Sequence, residues 1–162
     1  MKSLLILGAG GFGHMIKETA QALGYEEIVF LDDMVKEDDV IGMCCDYVIK
    51  HEEYPVAVAA FGNNKTRLFW TDKLLEEGYE VPAIVHPSAV VSPSVTLEPG
   101  CFIMQRSVVN TNTKIERAAL VNSGAVVDHN SVVCAGAHVG LGSVVKANCT
   151  IESGRKVEAG EV

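Results

Sequence analysis

The chain has 162 residues, 48% hydrophobic and 21% charged, which is the composition of an ordered globular protein with room for one ordinary domain or two small ones. Its 21 acidic and 13 basic side chains give a net charge of −8. That balance argues against a nucleic-acid interface, which needs a basic face, but not against a phosphate-bearing small molecule held by backbone N–H groups. No apolar run approaches the roughly 20 residues of a membrane span. The five cysteines have no Cys-x-x-Cys spacing and read as reduced thiols of a cytoplasmic protein, with no zinc or disulfide framework.

Ser3 to Leu7 form a short aliphatic run, as in a parallel strand buried on both faces, and the run is too brief for a secretory signal. It feeds Gly8-Ala9-Gly10-Gly11-Phe12-Gly13, which fits G-x-G-x-x-G, and the pattern then predicts a helix over about residues 14–23. Ile28 to Leu31 read as a second strand, ending in Asp32-Asp33 about 20 residues beyond the glycines, where a dinucleotide fingerprint places its ribose-binding carboxylate. Glycines let the backbone approach a pyrophosphate, and the following helix aims its first N–H groups at the anion. A glycine turn that merely joins strand to helix would look similar.

Val56 to Ala60 read as a third strand. A helix over 65–77 follows, with Asn63 or Asn64 as its N-cap and Gly78 as its stop. Lys65 and Arg67 suit either a phosphate contact or a solvated helix face. Val81 to Val85 form a fourth extended segment. About 85 residues hold one nucleotide-binding unit and not both halves of a dinucleotide fold, which disfavours a hydride-transferring dehydrogenase.

From Ala89 the sequence divides into hexads. The third residue of each is aliphatic: Val91, Leu97, Ile103, Val109, Ile115, Val121, Val127, Val133, Val139, Val145, Ile151 and Val157. The sixth is often Gly, as at Gly100, Gly124 and Gly136. A period of six suits short strands joined by tight corners, three hexads to a coil, with four coils in this chain.

The segments LLILGAGGFG, IVFLDD, FGNNKTR, IVHPSAVVSPS and ALVNSGAVVDHNSVVCAGAHVGLGS resemble, in order and spacing, the PglD/NeuD-type sugar acyltransferases of the hexapeptide-repeat superfamily. The resemblance covers essentially the whole chain. It implies an α/β Rossmann-like nucleotide-sugar-binding domain over residues 1–85 and a left-handed parallel β-helix acyltransferase domain over 86–162. It further implies a homotrimer with active sites between subunits, acetyl-CoA as co-substrate and no metal. The acceptor so implied is the amine of a nucleotide-linked 4-amino sugar, in surface glycan or glycoconjugate biosynthesis. A sialic-acid-type hydroxyl acceptor and a non-catalytic nucleotide-sugar-binding trimer stay open.

Carried over residue by residue, His129 matches the catalytic base and Asp128 an acidic active-site residue. Asn122 matches an active-site Asn, His138 a coenzyme-contacting His, and Ala147 the residue whose N–H meets the thioester oxygen. Gly10, Gly11 and Phe12 match the turn that holds the nucleotide diphosphate, and Asp32 and Asp33 the residues near its base and ribose. Phe12 stands where relatives often carry His, and Asn130 where an acidic residue often follows the base. Relatives continue with further coils beyond the position of Val162, and those coils hold much of the coenzyme. The resemblance implies for this chain either a partial donor groove or residues beyond 162.

Overall fold

The computed structural model describes residues 2–162, which form two compact units, the first ending at Pro82 and the second running Ala83–Val162. Among the described residues, no helix is long and apolar enough to cross a membrane.

The first unit is a small parallel α/β layer. It comprises β1 (Ser3–Leu7), α1 (Gly11–Ala22), β2 (Glu27–Leu31), a 3₁₀ turn at Cys44–Asp46 leading into α2 (Tyr47–Lys50), β3 (Ala57–Ala59) and α3 (Asn64–Glu77). The sheet order is β2-β1-β3, all parallel, with Leu5 opposite both Val29 and Ala57. The central strand is covered on both sides and Leu4 through Leu7 are fully buried, which is why it reads as an unbroken aliphatic run.

The first helix begins at Gly11, three residues before the expected start, so two glycines lie in its first turn. Glycine's low helix propensity hides such a start. Packing demands it here, because a Cβ on Gly13 would collide with the carbonyl oxygen of Gly8. Asn63 caps α3, its Oδ1 accepting the Thr66 N–H at 3.0 Å, and Gly78 ends the helix with φ 93°.

The second unit is a parallel β-solenoid. Its two-residue strands are β4 (Ile84–Val85), β5 (Val90–Val91), β6 (Thr96–Leu97), β7 (Phe102–Ile103), β8 (Val108–Val109), β9 (Lys114–Ile115), β10 (Leu120–Val121), β11 (Val126–Val127), β12 (Val132–Val133), β13 (His138–Val139), β14 (Val144–Val145), β15 (Thr150–Ile151) and β16 (Lys156–Val157). Each pairs with the strand three places along, giving faces β4-β7-β10-β13-β16, β5-β8-β11-β14 and β6-β9-β12-β15. Val81 to Val85 is thus no fourth strand of the first unit. Only Ile84–Val85 is extended, and it pairs with Phe102–Ile103. Val85 lies six residues before Val91, so the repeat starts one hexad earlier than Ala89.

The hexad explains the core. Third-position side chains from Ile103 to Val157 are buried in one cluster, and so are small first-position residues such as Cys101, Ala119, Ala125 and Ala137. Positions one and three share the inner face, because strand side chains alternate. Buried first-position hydroxyls are satisfied at the corners: Ser107 Oγ donates to the Met104 carbonyl and Ser143 Oγ to that of Gly140, each at 2.7 Å. Every sixth residue from Gly100 to Gly160 has φ between 56° and 72°, including the non-glycines Arg106, Asn112, Ala118, Asn130 and Asn148. The corner itself requires the left-handed conformation, and glycine or asparagine adopts it at least cost.

Candidate functional site

In the α/β unit a cavity of about 510 Å³ opens where the strands end, lined by Gly8, Gly10, Gly11, Phe12, Asp32, Asp33, Phe61, Gly62, Thr66 and Trp70 among others. The five residues expected there from the first half of the sequence all line it. A second hollow of about 380 Å³ shares Asp32, Asp33 and Val35 and extends past Gly42 and Met43. Sequence reading missed Phe61, Thr66 and Trp70 as lining residues. Phe61 was signalled by the loop after a buried parallel strand, since open α/β sheets bind ligands beyond the carboxyl ends of their strands, whereas Thr66 and Trp70 lie on α3.

The two aspartates differ in their bonding. Asp32 Oδ2 accepts the Ala9 N–H, and Oδ1 accepts those of Met34 and Val35, all at 2.8 Å. Burial pushes its pKa up, but the three N–H groups outweigh that and hold it below the usual carboxylate value. Asp32 thereby ties the glycine turn to the end of β2. Asp33 engages one backbone donor, the Cys44 N–H, through Oδ1 at 2.8 Å.

The two cations in doubt also part company. Lys65 is exposed, whereas Arg67 is fully buried and so is no part of a solvated helix face. Its guanidinium donates to the carbonyls of Phe61 and Gly62 and to Asn64 Oδ1.

In the solenoid, His129 sits on the corner after β11 with its side chain exposed. Asp128 Oδ1 accepts from Asn110 Nδ2 at 2.9 Å and from the His129 N–H at 2.8 Å. The Asn110 bond, then the backbone bond, hold its carboxyl below the usual range. Among the described residues Asp128 makes no hydrogen bond to the imidazole, whereas the amide nitrogen of Asn130 is placed 3.1 Å from His129 Nδ1. With the amide oxygen turned toward Nδ1–H, Nε2 carries the lone pair; the opposite amide orientation gives the other tautomer.

Ala147 lies one coil beyond His129 at the same corner, where the Asn148 N–H donates to the His129 carbonyl at 3.0 Å. The Ala147 N–H itself donates to no acceptor among the described residues. Asn122 and His138 are elsewhere: Asn122, just after β10, has its Nδ2 3.2 Å from Nε2 of His138, the first residue of β13. They line a hollow of about 140 Å³ with Leu141 and Lys156. One chain thus holds His129 with Ala147, and Asn122 with His138, at two different corners of the prism. No cluster of three or more His, Cys, Asp or Glu suited to a metal ion occurs among the described residues.

The model of the PglD N-terminal domain matches residues 3–74. The acetyltransferase domain of PglB from Neisseria gonorrhoeae, solved with acetyl coenzyme A, is 32% identical to the chain. That match covers 98% of this chain and 89% of that one, with a TM-score of 0.86. The chain belongs to the PglD/NeuD-type sugar acyltransferases. PerB from Caulobacter crescentus, solved with CoA and GDP-perosamine, is a further similar structure at 29% identity and TM-score 0.84, covering 99% of this acyltransferase and 87% of PerB. WeeI from Acinetobacter baumannii shares the fold at 17% identity and TM-score 0.65, over 99% of this chain and 95% of WeeI.

Proposed function

We propose that the protein transfers an acetyl group from acetyl-CoA to the amine of a nucleotide-linked 4-amino sugar. The observation that carries this reading is the full-length likeness to an acetyltransferase domain that binds acetyl coenzyme A and to PerB, which binds CoA and a nucleotide-linked amino sugar. The α/β unit is Rossmann-like in this reading and receives the nucleotide in the cavity at its strand ends. The Gly10–Gly11 turn at the N-terminus of α1 faces the diphosphate beside Phe12, and Asp33 meets the nucleoside. Asp32 holds the turn in shape.

The solenoid is left-handed and trimeric in the same reading, and the protein is cytoplasmic. The division of Asn122 and His138 from His129 supports a trimer, because a neighbouring prism can bring one chain's coenzyme corner to another's base. Five unbridged cysteines suit a reducing compartment.

In the mechanism, His129 Nε2 takes the proton from the amine as its nitrogen attacks the thioester carbonyl. The Ala147 N–H donates to the carbonyl oxygen as that oxygen gains negative charge. The carbon–sulfur bond then breaks, and the imidazolium returns its proton to the departing thiolate. Proton uptake at Nε2 requires the Asn130 amide oxygen, not its nitrogen, to face His129 Nδ1–H, and Asp128, bound to Asn110, lies beside the imidazole toward the acceptor.

The test is thiol release from acetyl-CoA with a panel of nucleotide-linked 4-amino sugars and their 4-hydroxy counterparts. The amines are the expected substrates. His129→Ala lowers kcat by about 10²- to 10⁴-fold with nucleotide-sugar affinity unchanged; full activity in that variant overturns the mechanism.

A further inference from the structure

An anion in the cavity of the α/β unit meets an unfavourable lining, for it carries Asp32 and Asp33 and, among the described residues, no lysine, arginine or histidine. The helix N-termini of α1 and α3 offer only about half an elementary charge each. A full positive charge lies behind the wall. Arg67, on the first turn of α3, has no solvent exposure. Its Nη1 donates to the Phe61 carbonyl at 3.0 Å and to that of Gly62 at 3.4 Å, and its Nη2 donates to Asn64 Oδ1 at 2.9 Å.

That contact sets the direction of two peptide planes. In a trans peptide the N–H points opposite to the carbonyl that precedes it. With the Phe61 and Gly62 oxygens drawn to the guanidinium, the N–H groups of Gly62 and Asn63 point away from it, and neither donates to an acceptor among the described residues. Phe61 and Gly62 themselves line the cavity. Successive unengaged N–H groups at a loop leading into a helix make an anion-binding concavity.

We propose that Arg67 is a positioning residue for the diphosphate of the acceptor. It orients the N–H groups of Gly62 and Asn63 toward the anion and places a full positive charge one peptide layer behind them. This rests on the reading of the cavity as the nucleotide site. Burial lowers the guanidinium pKa to about 10, so the group stays protonated at neutral pH. An arginine serves here where a lysine would not, because a planar fork reaches several oxygens at once and a single ammonium cannot hold the same set.

The test compares the wild type with Arg67→Met and Arg67→Lys. Calorimetry measures affinity for guanosine and uridine diphosphates and for the matching monophosphates, and kinetics separates KM from kcat for the sugar nucleotide. Arg67→Met weakens the diphosphate by about tenfold or more and the monophosphate by distinctly less, and raises KM with kcat near the wild-type value. Arg67→Lys, which keeps the charge and loses the fork, recovers part of the diphosphate affinity. Equal weakening of mono- and diphosphate, or none, overturns the proposal. Should Arg67→Met fail to fold, Arg67→Lys decides alone, and a diphosphate-to-monophosphate preference equal to the wild type's overturns it. A wild-type protein that binds no nucleoside diphosphate sinks instead the nucleotide reading on which it rests.

Discussion

In the solenoid a residue's surroundings follow from its place in the hexad, whereas in the α/β unit three consecutive residues meet three different fates. Lys65 is exposed, Thr66 lines the cavity and Arg67 is fully buried. The solenoid repeats one local solution, so every third-position side chain enters the same column. The α/β unit uses each loop once, and neighbours diverge according to what the loop packs on. Position in the repeat predicts environment in one region; in the other, only contact does.

Truncating a third-position residue breaks the comparison most severely. Ile115→Ala removes buried volume from the middle of the column and destabilises the solenoid by about 2–5 kcal/mol, measured by denaturant unfolding. The equivalent change at Leu97, only half-buried toward the first coils, costs distinctly less; equal costs would contradict a column graded by burial.

Next comes the close approach in the α/β unit. Gly13→Ala drives a methyl group into the Gly8 carbonyl, costing about 1–3 kcal/mol and weakening nucleotide binding, whereas Gly10→Ala meets open space and leaves stability nearly unchanged. Thermal melts of both variants test this, and matching melts would count against the helix starting at Gly11.

A smaller effect reads the Asp32 staple through pH. Its folded pKa is depressed, so its contribution is fully present above the unfolded value of about 3.9 and is lost as pH falls through the folded one. Asp32→Asn therefore costs about 1–2 kcal/mol at pH 7, and the gap to wild type closes below about pH 4. A gap that persists at lower pH would mean that packing, and not the carboxylate, holds the turn.

The smallest change is a gain. Arg106 is exposed and has φ 57°, so Arg106→Gly relieves left-handed strain without losing buried contacts and stabilises by about 0.5–1 kcal/mol. Denaturant midpoints at an unchanged slope would register it.

Legibility in the sequence followed the same division. The hexad period exposed the solenoid and its three faces, because a repeat states its geometry many times over, while His129 stood out only through the family resemblance. The glycine turn and Asp32-Asp33 were visible as a motif, and the structure gathers them into one cavity. The start of α1 was missed because glycine propensity pointed the wrong way, and β4 because two extended residues beside an α/β unit do not announce which sheet they will join.

Sequence alone determined the periodic core, the glycine-turn signature and the family resemblance, since each is written as local pattern. Tertiary structure decided that Asp32 accepts three backbone N–H groups while Asp33 accepts that of Cys44, that Arg67 turns inward beneath the cavity loop, and that Asn130 and not Asp128 meets the His129 ring. Those outcomes depend on which backbone donors and acceptors are left unpaired once the strands and corners have formed, and residue spacing carries no record of that.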